Sequence, residues 1–133
     1  MENNGLCHLH LTINAKVALE GKGLSKGRCE SFVQKLLAEA GMKPLGPINY
    51  ADAEDKGNPG QSFVQMITTS HCSLHYFSDS GEIYFDLYSC KKFNPEKIVS
   101  LVHREFRTRE STVSITERVP CMGGSKATVF RNI

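Results

Sequence analysis

The stretch from Ser62 to Cys90 constrains this chain more than any other. Two runs rich in β-branched and aromatic residues, TTSHCSLHYF and EIYFDLYSC, flank Asp79-Ser80-Gly81, which is turn material, so the segment reads as one β-hairpin. With residues 79–81 as a three-residue loop and Gly81 in its left-handed position, position 78 faces 82 and, stepping outward, Ser70 faces Cys90. Directly opposed strand residues hold their Cβ atoms about 5 Å apart, which sets a hydroxyl beside a thiol.

The first arm cannot run unbroken from Ser62 to Phe77. Sixteen residues at about 3.3 Å each would exceed 50 Å, far beyond an ordinary strand, so the chain has to turn partway. Thr68-Thr69-Ser70 is the natural place, and a strained peptide there would suit a functional site.

The remaining elements follow from periodicity. Cys7, Leu9, Leu11 and Ile13 alternate with His8, His10, Thr12 and Asn14, the pattern of a half-buried strand. Phe32, Val33, Leu36, Leu37 and Ala40 recur at helical spacing, and Gly41 is placed to stop that helix. Pro44, Pro47, Gly57, Pro59 and Gly60 mark a loop-rich segment, with Asp52 to Gly60 a mobile surface excursion. Asn94 and Pro95 supply a cap and first turn for a second helix carrying Ile98, Val99, Leu101, Val102 and Phe106, and a last strand is expected near 112–119.

Two amphipathic helices and four to five strands in 133 residues predict a single domain over residues 1–133. The class is α+β: a two-layer sandwich, with a mainly antiparallel sheet and both helices on one face. Phe77, Ile83, Tyr84 and Tyr88 leave the other face partly apolar, so a homodimer is expected, two units closing toward an αββα arrangement.

A net charge of +2 with mixed signs gives no footprint for nucleic acid. The N-terminus has no basic region followed by an apolar core, and no stretch approaches the roughly 20 apolar residues of a membrane helix. The expectation is a soluble, cytoplasmic protein without membrane contact. Five cysteines (Cys7, Cys29, Cys72, Cys90, Cys121), irregularly spaced and without a CxxC pair, argue for reduced thiols. His71, Cys72, His75 and Cys90, with His8 and His10, offer zinc-type ligands, but His71 and Cys72 are adjacent on a strand and point apart, so no metal is expected.

The segment Thr69-Ser70-His71-Cys72-Ser73-Leu74-His75 resembles the active-site run of the small, prokaryotic type of S-adenosylmethionine decarboxylase, Glu-Ser-His and then a second His. Asp86-Leu87-Tyr88-Ser89-Cys90 is similar to that family's Asp-Ile-Phe-Thr-Cys, and the spacing between the two segments matches without a gap. The resemblance is close over Ser62 to Cys90; outside it only length and element order agree.

It implies a pyruvoyl-dependent enzyme that decarboxylates S-adenosylmethionine for spermidine and other polyamine synthesis. Self-cleavage between Thr69 and Ser70 would turn Ser70 into the pyruvoyl group. His75 would assist that processing, Ser62 would support it, Cys90 would donate a proton, and Asp79 would stand near the substrate ribose. The Ser70 hydroxyl would attack the Thr69 carbonyl, exchanging amide for ester, and elimination and hydrolysis would leave the keto group. That group would take up the substrate amine and withdraw electrons as carbon dioxide leaves.

One position departs from the family pattern. Thr69 stands where the family has Glu, which removes a carboxylate and adds a β-branched side chain while keeping the carbonyl that has to be attacked. Two alternatives therefore stay open: a pyruvoyl-dependent decarboxylase of another amino acid, and an unprocessed, non-catalytic relative that binds a nucleoside ligand or a protein partner.

Overall fold

Period-two alternation builds the central strand of the structure, a computed structural model that describes residues 6–19, 23–55 and 57–119. In β1 (Leu6–Val17), Leu11, Ile13, Ala15 and Val17 are buried while Asn14 is exposed and His10 and Thr12 are half-buried. The other strands are β2 (Asn49–Asp52), β3 (Gly60–Ile67), β4 (Ser70–Phe77), β5 (Glu82–Lys91) and β6 (Thr108–Glu117). They form one six-stranded sheet in the order β2-β3-β4-β5-β1-β6, with every pairing antiparallel.

The helices are α1 (Lys26–Ala40) and α2 (Pro95–Phe106). Ser25 caps α1, its Oγ accepting from Arg28 N, and Gly41 ends it with a φ of 69°. Asn94 caps α2 by accepting from the Glu96 and Lys97 amides, with Pro95 in the first turn. Both helices cover the face that carries Leu11, Ile13, Phe63, Cys72, Leu74, Ile83, Phe85 and Leu87. The predicted α+β class, with an antiparallel sheet and two helices, is the observed one.

Phe32 of α1 joins the layers. Its ring centroid lies 4.8 Å from Phe106 of α2, 5.9 Å from Phe85 of β5 and 6.2 Å from Phe63 of β3. Removing a fully enclosed ring leaves a void that the surroundings fill only in part. Phe32→Ala is therefore expected to cost about 3–5 kcal/mol, read as a lower urea midpoint at unchanged slope; an unmoved midpoint would show that this contact does not hold the layers together.

Four expectations are corrected. The loop of the β4–β5 hairpin has four residues, 78–81, because Gly81 donates its N–H to Phe77 O and Phe77 pairs with Glu82; Ser70 is thus brought opposite Ser89, one residue short of Cys90. The same register turns Ile83 into the core, where it is fully buried, and leaves Phe77, Tyr84 and Tyr88 on the open face. Six strands replace four to five, since β2 lies inside the segment read as loop: NYAD is too short for a readable alternation, and it is held by pairing with β3. The last strand begins at Thr108, four residues earlier than expected, right after Arg107 closes α2 in the left-handed conformation.

The turn between the long arms falls where length required it. Ile67 pairs with Ser70, so Thr68 and Thr69 alone connect β3 to β4, and Thr69 carries a φ of 52°. Glycine or asparagine ordinarily fills such a place; a β-branched residue there carries strain of about 1–3 kcal/mol. Across the same pair of strands, Gly60 is required because a Cβ would collide with the Tyr76 carbonyl oxygen. Among the described residues no helix is long and apolar enough to cross a membrane.

Candidate active site

A β-bulge sets the position of Cys90. Leu9 pairs with Ser89 and Leu6 with Lys91, so β1 spends three residues where β5 spends two, and Cys90 is the β5 residue opposite the extra one. The Ser89 hydroxyl reinforces the irregularity by accepting from Lys91 N at 2.9 Å and donating to Lys91 O at 2.7 Å. In a regular ladder Cys90 would alternate onto the open face. Here it is buried, 8 % exposed, against the β3–β4 turn.

Ser70 opens β4 beside it and is 5 % exposed. Its Oγ accepts from the Cys90 amide at 3.1 Å and donates to Cys90 Sγ at 3.6 Å, so the hydroxyl and thiol meet although the register of the β4–β5 ladder, which begins at His71 and Tyr88, would set Ser70 across from Ser89. Thr69 completes the group, with Oγ1 at 2.8 Å from Cys90 Sγ. Hydrogen bonding by Thr69, and next by Ser70, holds the Cys90 thiol below its ordinary range. Burial pushes the other described thiols, Cys29 and Cys72, up to about 12. All three are free; Cys121 lies outside the described residues.

A cavity of about 200 Å³ adjoins Ser70 on the helix side. Its walls are Gly41, Met42 and Lys43 after α1, Ile67 and Thr68 of the turn region, and Ser89 and Lys91 of β5. A carbonyl group at residue 70 fits these surroundings: the Cys90 thiol and the Cys90 amide both meet the Ser70 side-chain oxygen, and there is free volume next to it.

Ser62 and His75 form a second group. They are directly paired in the β3–β4 ladder, and Ser62 Oγ lies 2.6 Å from His75 Nδ1. The chain does fold back between Ser62 and Ser70, but it brings Ser62 to His75 instead. β4 is regular, so Ser70, Cys72 and Leu74 face the helices while His71, Ser73 and His75 face outward. Five residues of strand add about 16 Å to that difference of face.

Asp79 sits farther still, in the 78–81 loop, where it lines a cavity of about 260 Å³ with Asn58, Phe77, Ser80, Glu82 and Tyr84. Within one chain Ser70 thus meets Cys90 and Thr69, and His75 meets Ser62, but the two groups do not meet each other.

The open face carries an arrangement with no reading in the sequence. His10 Nε2 is 2.7 Å from Asp86 Oδ1, with His71 Nε2 at 3.8 Å from the same oxygen, and His8 Nδ1 is 2.7 Å from Tyr88 Oη, whose ring lies under Arg118 at 5.2 Å. Asp86 belongs to the DLYSC run, yet nothing in spacing alone pairs it with a histidine 76 positions away. No three His, Cys, Asp or Glu side chains among the described residues are gathered so as to hold a metal ion.

Comparison with known proteins fits this geometry. Over 60 residues the chain is 35% identical to the S-adenosylmethionine decarboxylase proenzyme of Thermococcus kodakarensis and 33% identical to that of Pyrococcus furiosus. Each match covers 44% of this chain and 42% or 43% of the relative, so it spans less than half the length of the curated relatives. The crystal structure of the adenosylmethionine decarboxylase from Aquifex aeolicus superposes with a TM-score of 0.70 over 92% of this chain and 98% of that one; at 14% identity it speaks for the fold alone. The family model for S-adenosylmethionine decarboxylase matches residues 9–119, well over half of the sequence, and by that match the chain belongs to the S-adenosylmethionine decarboxylase family.

Proposed function

We propose that the chain is a proenzyme that cleaves itself between Thr69 and Ser70 and then decarboxylates S-adenosylmethionine, supplying aminopropyl groups for polyamine synthesis. The observation that carries this reading is the meeting of Ser70 Oγ and Cys90 Sγ at 3.6 Å directly behind a residue in left-handed conformation.

The nucleophile and the bond it attacks belong to one chain. The Ser70 oxygen adds to the Thr69 carbonyl carbon, the carbon–nitrogen bond breaks, and an ester replaces the amide. Strain at Thr69 is relieved as that peptide bond opens, which lowers the barrier to leaving the amide. Loss of the Ser70 α-proton then expels the Thr69 carboxylate, and hydrolysis of the resulting dehydroalanine releases ammonia. Proton transfer in these steps falls to an imidazole, for which His75, oriented by Ser62, is the candidate.

The pyruvoyl group left at residue 70 supplies a carbonyl that acts as electron sink for decarboxylation. Cys90 stands where it can deliver a proton to the carbon that has lost its carboxylate, and a thiol held below its ordinary range gives that proton up readily.

His75 and Asp79 cannot serve Ser70 of their own chain, since His75 lies about 16 Å along β4 and on the other face, and Asp79 lies beyond the far end of β4 in the 78–81 loop. Both do face outward, on the side where Val64, Met66 and Tyr84 are exposed, and the Thr69 turn is itself exposed. A homodimer closing through its open faces toward an αββα arrangement would let one copy bring Ser62, His75 and Asp79 to the other copy's Ser70 and Cys90.

Intact-mass measurement after expression tests the proposal. Two fragments are expected, split between Thr69 and Ser70, with the second blocked at its N-terminus and reactive to hydrazine. A chain that stays whole through long incubation would overturn it in favour of a non-catalytic relative. Release of carbon dioxide from S-adenosylmethionine, and not from a panel of free amino acids, fixes the substrate.

A further inference from the structure

Thr69, the residue that departs from the family pattern, makes the shortest contact to Cys90. Its Oγ1 lies 2.8 Å from Cys90 Sγ and 2.7 Å from the carbonyl oxygen of Thr68, while the Ser70 hydroxyl reaches the same sulfur only at 3.6 Å. A hydroxyl carries one proton and two lone pairs on a freely turning bond. With the sulfur protonated, S–H donates to Oγ1 and Oγ1–H donates to Thr68 O. With the sulfur ionised, a rotation about one bond turns Oγ1–H onto it. A carboxylate at this place has only lone pairs at neutral pH, so it would hold the thiol but repel the thiolate.

We propose that Thr69 is a positioning residue for Cys90: its hydroxyl stays bonded to the sulfur both before and after the sulfur gives up a proton. The catalytic meaning of this rests on the decarboxylase reading, in which Cys90 is the proton donor. Its left-handed backbone is what aims the side chain, because the turn places Thr69 across from the end of β5.

Few other groups compete for control of the thiol. Lys91 follows it on β5 and favours the ionised form, while Lys43, from the segment after α1, lines the cavity beside Ser70. The β3–β4 turn contributes no charge, and His8 of β1 is engaged with Tyr88.

The test follows alkylation of Cys90 by iodoacetamide against pH, resolved by peptide mass so that Cys90 is read apart from the other cysteines. Every chain carries Ser70→Ala, so none can cleave and all are compared whole. Thr69→Val keeps the shape and loses the hydroxyl; its Cys90 is expected to react about fivefold or more slowly at neutral pH, with the profile moved to higher pH. Thr69→Ser restores the hydroxyl and is expected within about twofold of the parent. Thr69→Gly, which the left-handed turn accepts without strain, is expected to match valine and guards against a misfolded variant.

A valine or glycine profile equal to the parent's would overturn the proposal, as would a serine variant as slow as valine. Failure of the decarboxylase reading would appear elsewhere, as an uncleaved chain with Ser70 intact, and leaves this measurement unaffected.

Discussion

Ser70→Ala is expected to give a chain that stays whole indefinitely and releases no measurable carbon dioxide from S-adenosylmethionine. The alanine has no oxygen to attack the Thr69 carbonyl, so neither the ester nor the keto group can form, and no neighbouring side chain can make up the loss. The Thr69 hydroxyl is already directed at Thr68 O and Cys90 Sγ. Loss of activity by unfolding is separable from loss by chemistry. Removing Ser70 Oγ strands the Cys90 amide, which accounts for about 1–3 kcal/mol of stability, and a small fall in the thermal midpoint should register that much and no more.

Ser70→Cys sharpens the result. A thiol is a competent nucleophile, so this variant is expected to cleave slowly over hours to days, where alanine does not cleave at all. Cleavage of the alanine variant at the same bond would mean that another group performs the attack and that Ser70 is an ordinary strand residue.

The two arms, the turn between them and both helices were legible because each rests on a local signal. Alternation gives β1, β4 and β5; Asn94-Pro95 and Gly41 give helix ends; and the impossibility of a strand more than 50 Å long gives the turn at Thr68-Thr69. Register was not legible. Whether Gly81 closes a loop of three residues or four shifts every pair by one, and that choice depends on the Gly81 N–H reaching Phe77 O. The wrong register nevertheless named the right pair, since a bulge in β1 carries Cys90 back toward Ser70 by about the residue that the longer loop takes away.

Positions 70 and 75 differ by an odd number, which on a regular strand sets Ser70 and His75 on opposite faces, and the structure keeps them there. No bend brings them together within the strand; the ladder instead gives His75 to Ser62, and that pair faces away from the helices. The contact between Thr69 and Cys90 had no sequence signal at all, because it depends on a left-handed φ at a residue type that seldom adopts one.

Mixing two inactive chains is expected to restore cleavage, and this outcome separates the dimeric site from any site built within one chain. Ser70→Ala retains Ser62 and His75 but has nothing to convert; His75→Ala retains Ser70 and Cys90 but lacks the imidazole. If each copy serves the other, a mixed dimer has one complete site, made of the serine from the His75→Ala chain and the histidine from the Ser70→Ala chain. Co-expressed in equal amounts with random pairing, about half of the His75→Ala chains should then be cut and none of the Ser70→Ala chains. A mass tag on one chain tells the two apart. The asymmetry carries the argument: it assigns attack to one copy and proton transfer to the other, which no general effect on folding could imitate. Ser62→Ala in place of His75→Ala should behave in the same way but less severely, since it removes the 2.6 Å contact that orients the ring and leaves the ring itself. Were the mixture to stay wholly uncut while each chain forms dimers, the imidazole acting on Ser70 would have to come from elsewhere. Among the described residues that leaves His8, His10 and His71 on the open face, with His103 on α2, and the roles of Ser62 and His75 would fall together.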